Sequence, residues 1–248
     1  MSRASWIAER PVAHRGLHDA EAGVIENTAS AFAAAMAGGY AMECDVQISA
    51  DGEAMVFHDD TLDRLVDASG RVDAFSASAL RALPMKAGGD RMIGLGDLCD
   101  LVGGRSPLIV EIKAGWGEDR RLEKRVAQIL TSYKGPVAMM SFDPGSTAAI
   151  RAIAPSLPRG VVQESVYGEA GFDFLSRCQK FALGHLLHLP QSRPDFLAWY
   201  VGDLDHATVK VARNLLKYPM LTWTVRTPAD QARAGLFADQ MIFEGFRP

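Results

Sequence analysis

The sequence predicts an α/β protein: a single (β/α)8 barrel spanning residues 1–248, with a short insertion after the second strand. Three observations carry that prediction. Short apolar segments of strand character alternate with amphipathic helical segments from one end of the chain to the other. Eight such strand segments can be counted, and eight parallel strands close naturally into a barrel. No internal repeat, low-complexity tract or linker rich in Pro, Gly and Ser divides the chain, and about 250 residues is a common size for one barrel.

The strands are expected at 11–14, 42–48, 108–113, 137–141, 160–163, 195–201, 220–225 and 240–243. Helical patterns fall at 29–37, 119–132, 145–154, 168–180, 205–216 and 228–236. In the second of these, Leu122, Val126, Ile129 and Leu130 repeat at the spacing of one buried stripe. Asn27 stands where it can cap the first helix, and Gly38-Gly39 where glycine ends one. Asp143-Pro144 and Thr227-Pro228 each place a capping side chain before a proline suited to the first helical turn. Asp51-Gly52 predicts a hairpin between 46–48 and 54–57. The polar stretch 59–94 reads as an excursion over the barrel mouth rather than a second domain, and 184–194 as a loop.

Composition narrows the partners. Hydrophobic residues make up 48% and charged residues 23% of the chain, with a formal net charge of -4, which excludes a disordered, collagenous or coiled-coil protein. Without a basic block, nucleic acid is not an expected partner. Cys44, Cys99 and Cys178 are far apart and form neither a disulfide framework nor a zinc spacing, so buried thiols in a reducing compartment are expected. Residues 1–10 lack the apolar core of a secretion signal, and the longest apolar run, 31–37, is far short of the roughly 20 residues of a membrane span. The expected setting is cytoplasmic, without stable membrane insertion; the oligomeric state is not assigned.

Three strand ends carry unusual residues: His14-Arg15-Gly16, Glu43-Cys44-Asp45 and Glu111-Ile112-Lys113. Side chains alternate along a strand, so Glu43 and Asp45 share one face and Glu111 and Lys113 share another. The outer face of a parallel barrel packs under helices and must be apolar, which turns the charged faces inward. Glu43, Asp45 and Glu111 then converge, and three close carboxylates repel one another strongly away from water. Either a hard divalent cation, Mg2+ or Ca2+, relieves that repulsion, or a buried ion-pair network with Arg15 and Lys113 does. His14 and His58 arrive near the same cluster and can exchange protons near neutral pH, as attack and departure at phosphorus require. Arg15 and Lys113 offer fixed positive charge to a phosphate.

Taken together, His14-Arg15-Gly16, Glu26-Asn27-Thr28, Glu43-Cys44-Asp45-Val46, His58-Asp59, Glu111-Ile112-Lys113, Trp223-Thr224-Val225 and the segment 239–243 resemble the glycerophosphodiester phosphodiesterase family over most of the chain. The resemblance implies a TIM barrel and a metal-dependent hydrolase that converts glycerophosphodiesters to glycerol 3-phosphate and an alcohol. It implies one divalent cation held by Glu43, Asp45 and Glu111, with His14 and His58 as the acid/base pair. It also implies phosphate binding by Arg15 and Lys113, and a substrate pocket that includes Glu26 and Trp223. Three positions depart from the pattern: Ile25 where Pro is usual, Arg226 where Asn is common, and Glu244-Gly245 where the last strand often ends in Asp-Pro. Arg226 is expected to add charge at the mouth.

Two alternatives stand beside this reading. One is a phosphodiesterase similar to lysophospholipase D or sphingomyelinase D, which needs an apolar patch for acyl chains. The other is a barrel that binds phosphorylated ligands without catalysis. Simpler readings serve the remaining residues. His18 reads as solvated, His185 and His188 as loop residues, and Trp199 and Tyr200 as packing for their strand. Met139-Met140 reads as core filling and the run 118–125 as the solvated face of a helix.

Overall fold

A computed structural model describes residues 4–113, 115–165, 167 and 170–248. The chain runs β1 (Val12–Ala13), α1 (Ala29–Ala37), β2 (Ala41–Ile48), β3 (Ala54–Val56), α2 (Ala77–Ala82), α3 (Leu95–Val102), β4 (Leu108–Ile112), α4 (Arg121–Ser132) and β5 (Val137–Ser141). It continues through α5 (Pro144–Ile153), β6 (Arg159–Gln163), α6 (Arg177–Gly184), α7 (Leu189–Ser192), β7 (Phe196–Tyr200), α8 (Ala207–Lys210), β8 (Met220–Val225), α9 (Pro228–Phe237) and β9 (Gln240–Phe243). Because β1 pairs in parallel with both β2 and β9, eight of these strands close into a barrel, with β3 outside it and antiparallel to β2.

Alternation along the strands sorts the two layers as the sequence predicts. Ile109, Ala138, Met140, Val162, Phe196, Leu221 and Ile242 fill the barrel interior. Met42, Cys44, Val110, Ile112, Met139 and Trp199 pack outward under the helices. Gly160 stands in register with Phe196, whose ring comes within 2.3 Å of where a Cβ on Gly160 would lie. A small residue beside a large one lets the interior layers interlock.

Local chemistry sets most boundaries. Asp143 accepts the Gly145 N–H at 2.7 Å with Pro144 in the first turn of α5, and Thr227 and Asp230 cap α9 reciprocally. Gly39, with φ +76°, turns the chain out of α1. The hairpin forms between the expected segments, with Val46 opposite Val56 and Ile48 opposite Ala54.

Four expectations need correction. Asn27 does not cap α1; Thr28 occupies that position, and the Asn27 amide turns to Asp45 instead. The helix expected at 168–180 begins only at Arg177, where Ser176 and Gln179 form a capping box; residues 168 and 169 lie outside the described residues, and Ala170–Phe172 is a single tight turn. The helix α3 was not expected, yet Leu95, Leu98, Cys99 and Val102 make a buried stripe, and the Asp97 carboxylate accepts the Gly94 N–H at 2.8 Å. The loop expected at 184–194 contains the helical turn α7. Within 59–94, Leu62, Val66, Val72, Leu80, Met85 and Met92 pack with Met55 and Phe57 at the barrel rim.

Candidate active site

The acidic cluster sits midway along β2 and near the C-terminal end of β4, where Asp45 and Glu111 are register partners. Oxygens of Glu43, Asp45 and Glu111 all lie within 4.8 Å of one another, and all three residues are buried. Arg15, with φ +55°, turns the chain after β1 so that its backbone N–H donates to Glu43 Oε2 at 3.0 Å. Its guanidinium donates to Glu26 Oε1 at 2.7 Å and stands 3.2 Å from Asp45 Oδ2. Asn27 brackets Asp45, donating to Oδ2 at 3.0 Å and accepting the Asp45 N–H at 3.2 Å. Lys113 donates to Glu111 Oε1 at 2.5 Å and stands 3.0 Å from Asp45 Oδ1.

Both ways of relieving the repulsion can be tested against these contacts. The ion pairs serve Asp45 and Glu111, but Glu43 Oε1 is buried without a hydrogen-bond partner. Burial, followed by the neighbouring Asp45 and Glu111 charges, pushes the Glu43 carboxyl well above the usual range. Burial also opposes the charge on Asp45, yet Lys113, His58, Arg15 and His14 outweigh it and hold that carboxyl well below the usual range. Burial likewise works against the Lys113 ammonium and is overcome by Asp45 and Glu111. Lys113 and Arg15 thus leave Glu43 Oε1 with no partner, while Asp45 Oδ1, also without a hydrogen bond, meets Lys113 only as an ion pair. An all-oxygen site with an orphaned carboxylate suits a divalent cation, and the residues present fit one.

The histidines stand beside this cluster, each with one ring nitrogen held by a carboxylate. His14 Nδ1 lies 2.5 Å from Glu244 Oε2, and its Nε2 lies 4.0 Å from Glu43 Oε2. Burial lowers the His14 pKa, and the bond to Glu244 offsets part of that. His58 Nδ1 lies 2.7 Å from Asp59 Oδ1. Arg64 ties this pair to Glu26, donating to Asp59 Oδ2 at 2.6 Å and to Glu26 Oε1 at 2.7 Å; Glu26 itself does not line the cavity that opens beside the cluster. Sequence reasoning missed Arg64, Asn27 as an Asp45 ligand, and Glu244 as a His14 partner. Of these, Glu244 stood out as a departure from the family pattern and Asn27 as part of the Glu26-Asn27-Thr28 motif, whereas Arg64 carried no signal. Arg226, another departure, donates to Glu244 Oε1 at 2.6 Å, so its charge is paired rather than free at the mouth.

A cavity of about 970 Å3 opens beside the cluster, lined by Gln47, His58, Glu111, Lys113 and Trp223, with further aromatic residues. Trp223 donates its indole N–H to the Ala198 carbonyl at 3.1 Å and packs on Phe142 and Tyr200; its ring walls the cavity. Several simpler readings change here. Tyr200 is 39% exposed rather than packed in its strand, and Cys178 is exposed. His18 Nε2 approaches Glu244 Oε2 at 3.7 Å. Glu123, within the charged run, is buried and bonded to Arg120 and Ser146. His188 is buried between Gln163 and Ser192. Among the described residues, no helix is long and apolar enough to cross a membrane.

Residues 14–239 match the model of the glycerophosphoryl diester phosphodiesterase family. A glycerophosphodiester phosphodiesterase of Caldanaerobacter subterraneus subsp. tengcongensis is 31% identical over 163 residues, which are 62% of this chain and 66%, just under two thirds, of the relative. Among solved structures, a phosphodiesterase of Oleispira antarctica in complex with the product sn-glycerol-3-phosphate superposes with a TM-score of 0.77 at 20% identity, covering 96% of this chain and 94% of its own. The glycerophosphodiester phosphodiesterase of Thermotoga maritima gives 0.70 at 21% identity, covering 94% of each. At these identities the two structures establish the shared barrel.

Proposed function

The chain belongs to the glycerophosphoryl diester phosphodiesterase family, and from that premise we propose that it hydrolyses glycerophosphodiesters to glycerol 3-phosphate and an alcohol. The observation that carries this reading is the convergence of Glu43, Asp45 and Glu111 beside two imidazoles that are each oriented by a carboxylate. The 31% identical relative that bears this name supports it.

Glu43, Asp45 and Glu111 would hold one divalent cation, Mg2+ or Ca2+. Such an ion, when bound, offsets phosphodiester charge and polarises a phosphoryl oxygen. Arg15 and Lys113 add fixed positive charge for the non-bridging oxygens as negative charge grows in the transition state. With Nδ1 of His14 held by Glu244, Nε2 is the nitrogen free to take a proton from the nucleophile, and a depressed pKa keeps it unprotonated for that task. His58, its Nδ1 held by Asp59, lines the cavity and supplies a proton to the departing alkoxide. The P–O bond to the alcohol breaks as the bond to the nucleophile forms; the nucleophile's proton goes to His14, and a proton from His58 goes to the departing alkoxide. Trp223 walls the pocket, and Glu26, paired with Arg15, would face the glycerol end of the substrate.

Product analysis with glycerophosphocholine, glycerophosphoethanolamine and glycerophosphoglycerol, each with Mg2+, Ca2+ and Mn2+ separately, tests the reading. Release of glycerol 3-phosphate with at least one ion is expected; no turnover of any diester with any ion would overturn it.

A further inference from the structure

One wall of the cavity has no part in the hydrolytic chemistry above. Trp116 follows β4, Phe142 follows β5, Phe172 and Phe174 follow β6, and Trp223 belongs to β8, yet all five line the same space. Their rings form a chain, with centroids 5.3 Å apart from Trp223 to Phe142 and 5.5 Å from Phe142 to Phe172. The chain continues at 6.2 Å from Phe172 to Trp116 and 5.6 Å from Trp116 to Phe174. Phe174 is 60% exposed at the rim. Glu164, directly after β6, is buried and lines the same cavity, so a carboxyl group stands among ring surfaces. His58, the proposed proton donor to the leaving alcohol, lines the same cavity.

We propose that this wall is the leaving-group subsite and that it selects alcohols carrying a quaternary ammonium group, as choline does. The inference rests on the hydrolase reading and adds the head-group class to it. A quaternary ammonium has no N–H to satisfy, is weakly hydrated, and is attracted to the negative faces of aromatic rings. A carboxylate behind the rings adds charge complementarity. A primary ammonium brings three N–H donors to a wall whose ring faces accept none and whose one carboxylate, Glu164, can serve only part of them, so it pays a desolvation that a quaternary ammonium escapes; the hydroxyls of a polyol fare no better on ring faces. An acyl chain would suit the rings but would be pressed against the buried carboxyl of Glu164.

The test compares kcat/KM for glycerophosphocholine, glycerophosphoethanolamine and lysophosphatidylcholine in the wild type, Trp116→Leu and Phe174→Ala. In parallel, saturation-transfer NMR follows tetramethylammonium, with ammonium as control. The wild type should prefer glycerophosphocholine over glycerophosphoethanolamine by about tenfold. Both variants should move that ratio toward parity, and Trp116→Leu should lose the tetramethylammonium signal. Parity in the wild type, or a preference that survives both substitutions, overturns the proposal. So does a preference for lysophosphatidylcholine that Phe174→Ala abolishes, because the wall would then hold an acyl chain. If no diester is turned over, the hydrolase reading fails, and the NMR decides the subsite alone: saturation transfer lost in Trp116→Leu upholds it, and none in the wild type overturns it.

Discussion

Single side chains decide whether an imidazole works as a base. The Glu244 carboxylate holds His14 at 2.5 Å and is itself anchored by Arg226 at 2.6 Å. Replacing His14 or His58 by Ala should lower kcat by roughly 10²–10⁴-fold. Glu244→Gln keeps the shape but removes the charge that orients His14 and stabilises its protonated form. It should lower kcat about tenfold or more with little change in KM, measured by steady-state kinetics at saturating ion. An unchanged kcat would remove Glu244 from the machinery. At this scale the sequence was partly legible. Strand parity alone placed Glu43, Asp45, Glu111 and Lys113 on inward faces, and the structure brings them together. Glu244 and Arg226 stood out only as departures. Their mutual bond spans 18 positions of chain, a distance that no local pattern reports.

Secondary-structure elements show where local rules hold and where tertiary packing overrides them. Strands 137–141, 220–225 and 240–243 fall where expected because apolar runs bounded by Pro, Gly or Asp leave little freedom. The 168–180 segment misled because Phe172 and Leu175 stand three apart, as on a helix face, whereas Phe172 and Phe174 line the cavity and Ser176 marks the true start of α6. His188 looked like a loop residue because its partners come from elsewhere: Gln163 on β6 donates to its Nε2, and Ser192 in α7 accepts from its Nδ1, both at 2.9 Å. Burial pushes its pKa down to about 4 from 6.5. The folded protein then keeps His188 neutral while the unfolded chain protonates below pH 6.5, so this contribution is complete above 6.5 and lost as pH falls toward 4. The loss is about 3 kcal/mol. Urea unfolding at both pH values should show a smaller acid loss in His188→Gln than in the wild type; equal losses would contradict the assignment.

At the scale of the molecule, barrel closure turns separated motifs into one site. Residues 14, 43, 58, 111 and 244 come from β1, β2, the hairpin, β4 and the end of β9, and only a closed sheet brings these together. The eightfold alternation of the sequence was enough to read that closure. The path of 59–94 was not, because its apolar cluster is completed by Met55 and Phe57 from the hairpin. That shared packing makes us propose one folding unit: calorimetry should give a single unfolding transition, and a separate transition for the 59–94 region would contradict it. The central claim is that the three acids serve as one cation site. Isothermal titration of EDTA-treated protein with Mg2+ and with Ca2+, alongside activity, tests it most directly. About one equivalent should bind and restore hydrolysis in the wild type, and neither should occur in Glu43→Gln. Full activity after EDTA, or unimpaired ion binding by Glu43→Gln, would contradict the account.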